Sequence, residues 1–217
     1  MINHLGCRVR ESSKLTREKY AIISTKPSLP MFKNMEDAYT NESGNEYDFE
    51  WCKNYQKKCL ENFDLNMELF KSLQSDEFNS EIDEFLNTFN QFKIVSDLGK
   101  YDSVSGYYVM VLDEYKQLYI GTSTDIKGRI KEHWRKSKRF DRLLFPMDNV
   151  KGSIISIDCF KALDTTRILA YETENIYTIE DTYINYFSPK FINNRVGGGR
   201  VNIFEMISSI RTRSMVD

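Results

Sequence analysis

The spacing of apolar positions changes along the chain, and each change marks a different kind of element. From Phe49 it is helical: Phe49, Cys52, Tyr55, Cys59 and Phe63 recur every three or four residues, and Leu69 and Leu73 extend the stripe. Ser80, with Asp83 three residues on, has the form of a capping box and predicts a second helix carrying Ile82, Phe85, Leu86, Phe89 and Phe92. Residues 48–93 are therefore expected to form a helical hairpin or short bundle whose aromatic residues are core. Before it, residues 1–47 are polar and irregular, with Pro27, Pro30 and a turn-like Asn41–Asn45.

After Gly99 the pattern shortens. Tyr107–Leu112 is apolar and β-prone, Asp113–Lys116 is a polar turn, and Gln117–Gly121 is a second strand, so a β-hairpin is predicted. Thr122–Asp125 can cap a helix over Ile126–Lys138, with Ile126, Ile130 and Trp134 as its buried stripe. Ser153–Phe160 reads as a third strand. A long helical stretch is expected from about Asp164 to Phe187, broken near Tyr177, with Pro189 ending it. Arg195–Arg200 reads as a glycine-rich turn, and Asn202 as the cap of a last helix carrying Ile203, Met206, Ile207 and Ile210. The order strand, strand, helix, strand, helix places the C-terminal half in the mixed α+β class.

Composition narrows the function classes. The 217 residues are 41% hydrophobic and 29% charged, with four prolines and ten glycines, which is globular and not disordered. No apolar run reaches the ~18–20 residues of a membrane span, so no membrane partner is expected. Met1–Arg8 contains no apolar segment of signal-peptide length, and a cytoplasmic, intracellular protein is the expectation. Cys7, Cys52, Cys59 and Cys159 form no C-x-x-C pair, and His4 and His133 are the sole histidines, so a structural zinc site is not expected. Net charge is −2, which does not advertise nucleic-acid binding. Within Lys116–Arg142, however, nine basic residues face three acidic ones. Such a run is a solvated helix face or a contact for a phosphate backbone.

One set of side chains carries chemistry. Arg129 and His133 stand four apart on the predicted helix, on one face. Tyr108 and Tyr119 are candidates to approach one another across the hairpin. A guanidinium, an imidazole and two phenols suit a phosphate oxyanion. The spacing is also familiar. Gly106-Tyr107-Tyr108, ten residues, then Tyr119-Ile120-Gly121 resembles the motif pair of the GIY-YIG nuclease superfamily, with Tyr107 where isoleucine is usual. Arg129 falls ten residues after Tyr119, as in the family's helix, and His133 matches a histidine of several homing and restriction enzymes. Glu180-Asp181-Thr182-Tyr183-Ile184, then Ser188-Pro189-Lys190-Phe191-Ile192-Asn193, resembles the family's glutamate helix, proline and asparagine. Asn193 comes one residue later than in many members, and Asn194 adjoins it. The likeness spans roughly residues 104–196.

The resemblance implies a GIY-YIG-like small antiparallel three-stranded sheet flanked by helices over 99–217, preceded by a mainly helical region over 1–98 of unknown role. It implies a DNA endonuclease using one divalent cation, Mg²⁺ or Mn²⁺, held by Glu180. Tyr108 would be the general base assisted by His133, Tyr119 would orient water or phosphate, Arg129 would neutralise charge on phosphorus, and Asn193 would brace the site. Thr122 and Ser123 stand where some relatives have an assisting lysine, which favours the histidine-assisted variant. Glu172 and Glu174 are alternative ligands without the Pro189 and asparagine spacing. Lys127, Arg135, Lys136, Lys138 and Arg139 are expected DNA-backbone contacts. With one site per chain, cutting both strands needs a homodimer or two nicks. The other readings are a catalytically silent DNA-binding or protein-interaction module, or a nuclease acting on RNA.

Overall fold

The computed structural model describes residues 1–22, 43, 45, 47–197 and 203–216. Pro27, Pro30, most of the Asn41–Asn45 turn, and residues 198–202 with the Asn202 cap lie outside them. The fold is mixed α+β. An N-terminal hairpin, β1 (Ile2–His4) and β2 (Cys7–Val9), stands where an irregular segment is predicted. The helical hairpin follows as α1 (Phe49–Ser72) and α2 (Ser75–Thr88). Asp48 caps α1 by accepting from the Trp51 N–H at 2.7 Å. Ser80 lies inside α2 and caps nothing, because the apolar stripe of that helix begins earlier, at Phe78.

The main sheet has four strands in the order β3-β6-β4-β5, all antiparallel: β3 (Lys93–Ile94), β4 (Gly106–Leu112), β5 (Gln117–Ser123) and β6 (Arg167–Glu172). The hairpin β4–β5 is as the pattern predicts. The third strand is not. Ser153–Phe160 is buried and extended but joins no sheet. Its carbonyls are taken by side chains instead: Ser153 O by Asn62 and Asn66, and Ile154 O by Arg195. Ile157–Cys159 closes it as a 3-10 turn. The neighbour of β4 comes from the segment read as helix. Ile168-Leu169-Ala170 is an apolar run short enough for either state, and long-range pairing with β4 decides it. Helix α4 is accordingly short, Glu180–Tyr186.

All seven residues of β4 are buried, since both faces of the sheet are covered. Tyr108, Met110 and Leu112 pack with Cys52, Tyr55 and Phe63 of α1 and with α3 (Ile126–Arg135) through Ile126, Ile130 and Trp134. Tyr107, Val109 and Val111 pack with Phe78, Ile82 and Phe85 of α2 and with Tyr183 and Ile184 of α4. Each core thus draws on residues from both sides of Gly99. Helix α3 ends at Arg135, three residues short of the predicted Lys138, and α5 spans Ile203–Ser208, leaving Ile210 to bridge Val196. All four cysteines are buried and free. No helix among the described residues is long and apolar enough to cross a membrane.

Gly106 opens β4 at φ +154°, and a Cβ there would overlap the backbone carbonyl oxygen of Tyr171 on β6. Gly106→Ala is expected to lower the unfolding free energy by about 2 kcal/mol, read from urea melts. A wild-type midpoint for this variant would show that β6 can yield.

Candidate active site

The register of β4 and β5 pairs Tyr108 with Gly121 and Met110 with Tyr119, so the two phenols are diagonal neighbours on one face. Their ring centroids are 6.3 Å apart. Gly121 makes the arrangement possible: a Cβ there would stand 2.5 Å from the Tyr108 hydroxyl oxygen and 3.0 Å from the Tyr119 ring. Helix α3 crosses this face, started by the Asp125 carboxylate, which accepts from the Gly128 N–H at 3.0 Å. It brings His133 to the hydroxyls. His133 Nε2 lies 3.0 Å from the Tyr108 oxygen, and its ring meets the Tyr119 ring edge-on at 5.1 Å.

The other ring nitrogen, Nδ1, is 2.8 Å from Asp158 Oδ1. Burial alone would raise the Asp158 pKa, but the His133 hydrogen bond, with the charges of Lys136 and Lys138, outweighs it and holds the carboxyl below its usual value. An ionised carboxylate only accepts, so Nδ1 carries the proton and Nε2 is left to accept from the Tyr108 hydroxyl. Tyr108, His133 and Asp158 therefore form a buried chain, with Tyr108 at 0% and His133 at 2% exposure. Sequence reading does not find Asp158. It lies in the segment mistaken for a strand, and an isolated aspartate carries no spacing signal. Lys161 is also missed; its ammonium donates to the Lys136 and Asp158 carbonyls and ties the end of α3 to the Asp158 turn.

Arg129, one turn before His133, is partly exposed and pairs with Glu132 at 2.6 Å. Burial would lower its pKa, but Glu132 and the two phenols raise it further, so the cation is permanent. Loss of water drives the Tyr108 pKa well above 10, with Tyr119 and Glu180 pushing the same way and Arg129 opposing. Tyr119 is raised too, by desolvation first and then by Glu180. Glu180, the first residue of α4, is 8% exposed, and its charge adds to the raised pKa of both phenols. Glu172 and Glu174 are exposed at and beyond the end of β6.

Compared with family models, curated proteins and solved structures, the chain matches none. What the arrangement can do rests on its own groups. Among the described residues no cluster of three or more His, Cys, Asp or Glu side chains could cage a metal ion. One buried carboxylate, such as that of Glu180, fits a hard cation such as Mg²⁺, which keeps several waters and takes other oxygens from a phosphate.

The two asparagines divide their work. Strand β5 is the sheet edge, and residues 191–194 cover it: Leu118 N–H donates to Phe191 O, and Asn193 N–H to Leu118 O. Asn194 clamps the next position, its Oδ1 accepting from Ile120 N–H at 3.0 Å and its Nδ2 donating to Ile120 O at 2.8 Å. The Asn193 side chain is buried and finds no partner among the described residues. Of the two, Asn194 is therefore the side chain that braces β5. Of the basic residues, Lys127 pairs with Asp102 at 3.0 Å and Lys136 with Glu132 at 3.7 Å. Arg135, Lys136 and Arg139 are exposed, while Lys138 is half-buried, with its pKa pushed down by burial.

Asn194→Ala leaves two buried backbone groups unpaired and is expected to cost about 2 kcal/mol, against clearly less for Asn193→Ala, in the same urea melts. A reversed ranking would assign the brace to Asn193. The depressed Asp158 pKa also fixes a sign. Its stabilisation is present above the ordinary carboxylate value near 4 and is lost as pH falls through the depressed folded value. The stability gap between wild type and Asp158→Asn is expected to close below about pH 4; a gap independent of pH would show that the carboxylate charge contributes nothing.

Proposed function

We propose that the chain is a metal-dependent endonuclease hydrolysing DNA phosphodiesters, a GIY-YIG-type enzyme of the histidine-assisted kind. The observation that carries this reading is the Tyr108–His133–Asp158 chain, set beside Arg129, Tyr119 and Glu180 on the frame of the two glycine-flanked tyrosine motifs. A phenol with so high a pKa is neutral at pH 7 and cannot wait as a phenolate. It can act as base only by passing its own proton on while it takes one. The attacking water gives its proton to the Tyr108 oxygen as the Tyr108 proton moves to His133 Nε2. Asp158 stabilises the imidazolium that results.

Tyr119, partly exposed, orients the water or a phosphate oxygen, and Arg129 neutralises charge gathering on phosphorus. Tyr108 is closed to solvent in the free protein, so the attacking water reaches its hydroxyl only as the substrate binds. Glu180 holds the cation, which when bound neutralises the scissile phosphate and the leaving oxygen. Arg135, Lys136 and Arg139 lie exposed at and beyond the end of α3, where they can follow a DNA backbone. With one constellation per chain, cutting both strands takes two copies or two successive nicks.

The test is cleavage of supercoiled plasmid with Mg²⁺ or Mn²⁺. Wild type is expected to cut, EDTA and Glu180→Gln to abolish cutting, and His133→Ala to slow it by about 10²–10⁴-fold. A wild type that binds DNA and does not cut would replace the enzyme with a binding module. Equal cutting by Glu180→Gln would remove Glu180 as the metal ligand.

A further inference from the structure

Helix α4 starts without the usual help. Its cap residue, Ile179, has no side chain able to accept, and the Thr178 hydroxyl is turned to Asn175 Oδ1. Two residues before the cap, Tyr177 adopts φ +68°, a left-handed conformation that a bulky residue holds only where its surroundings impose it. The acceptor at this corner comes from the sheet. The Tyr107 hydroxyl oxygen accepts from Thr178 N–H at 3.2 Å and from Ile179 N–H at 3.4 Å. The Tyr107 ring is 0% exposed, edge-on to Tyr183 of α4 at 5.2 Å and stacked on Tyr171 of β6 at 6.2 Å. Rigid at its base on β4 and hydrogen-bonded at its tip, it fixes the peptide from which Glu180 departs. Isoleucine would fill the ring's space only in part and would offer no acceptor.

We infer that Tyr107 is a positioning residue: its hydroxyl, bound to the backbone just before α4, sets where the Glu180 carboxylate stands and so tunes the affinity for a divalent cation. This rests on the reading of Glu180 as the metal ligand. The position where the chain departs from the GIY-YIG pattern thereby gains a task of its own. The main-chain corner before the glutamate is held by a phenol on the central strand, and no side-chain cap takes its place.

The experiment uses the full chain and Mn²⁺ alone, with free Mn²⁺ read by electron paramagnetic resonance, for wild type, Tyr107→Phe, Tyr107→Ile and Glu180→Gln. Amide hydrogen exchange at residues 178 and 179 is measured in parallel. The expected result is loss of Mn²⁺ binding in Glu180→Gln and about ten-fold weaker binding in both Tyr107 variants. Faster exchange at Thr178 and Ile179 should accompany it, with β4 and β6 amides unchanged in Tyr107→Phe, which keeps the ring. Tyr107→Phe binding Mn²⁺ as wild type does, while Glu180→Gln does not, overturns this inference alone. Glu180→Gln binding as wild type does overturns the metal reading and this inference with it. Unprotected amides at both positions in wild type also overturn it, whatever the variants do.

Discussion

Strand β4 is covered on both faces and paired along both edges, and almost every side chain of the candidate site is referred to it. Because successive residues on a strand point to opposite sides, Tyr107 and Tyr108 leave the same few ångströms of backbone for different layers. Tyr108 goes to α3 and meets His133, while Tyr107 goes to the layer of α4 and meets the corner before Glu180. A single rigid segment thus sets the distance between the two halves of the site. A strand with one solvated face could not do this, because one of the two tyrosines would be mobile. The helical hairpin α1–α2 supplies the cover, one helix packing on each face. Its part in the candidate site is to keep both faces dry.

The outer strand of the pair, β5, carries Tyr119 and Gly121 and has an edge to protect. Residues 191–194 run along it, and Asn194 takes both free backbone groups of Ile120. An asparagine suits this use because its amide matches a peptide group in donor and acceptor. The edge is sealed without a fifth strand, and the position of Tyr119 is fixed from outside. Arg195, the next residue, turns the other way and holds the carbonyls of Leu143 and Ile154, ordering the loop that leads to Asp158. Two adjacent residues in one extended segment therefore brace opposite parts of the candidate site.

Much of this was legible in the sequence where the signal is local. The tyrosine hairpin and the Arg129–His133 face of α3 are each fixed by spacing within a few residues, while Glu180 stands out only through the family resemblance. The errors share a cause. The pattern predicts helix at Ile168–Ala170 and strand at Ser153–Phe160 because an apolar run has no intrinsic preference strong enough to decide. What decides is non-local: β4 offers a ladder to the first, while Asn62, Asn66 and Arg195 occupy the carbonyls of the second. Asp158 stayed hidden for the same reason, since nothing within ten residues of it announces His133. Asn193 and Asn194 could not be told apart by counting, because which one reaches Ile120 depends on the path of the edge segment.

The electrostatics explain why a histidine alone would not be enough. Glu180 and the neighbouring phenol both oppose ionisation of Tyr108, and burial opposes it most. Arg129 works against all three without prevailing. Under the proposed nuclease reading, a site that also holds a carboxylate for a cation therefore makes its own base harder to ionise. The way out is to avoid a standing phenolate and move the proton through. That requires an acceptor whose free nitrogen faces the hydroxyl, so the imidazole must be locked in one tautomer. Asp158 supplies the lock, and it remains ionised although buried because the hydrogen bond from His133 and the charges of Lys136 and Lys138 outweigh the cost of burial. In that reading Lys136 and Lys138 at the end of α3 have a role that does not depend on touching DNA. They hold down the carboxyl pKa at the far end of the proton path, which keeps the near end able to accept.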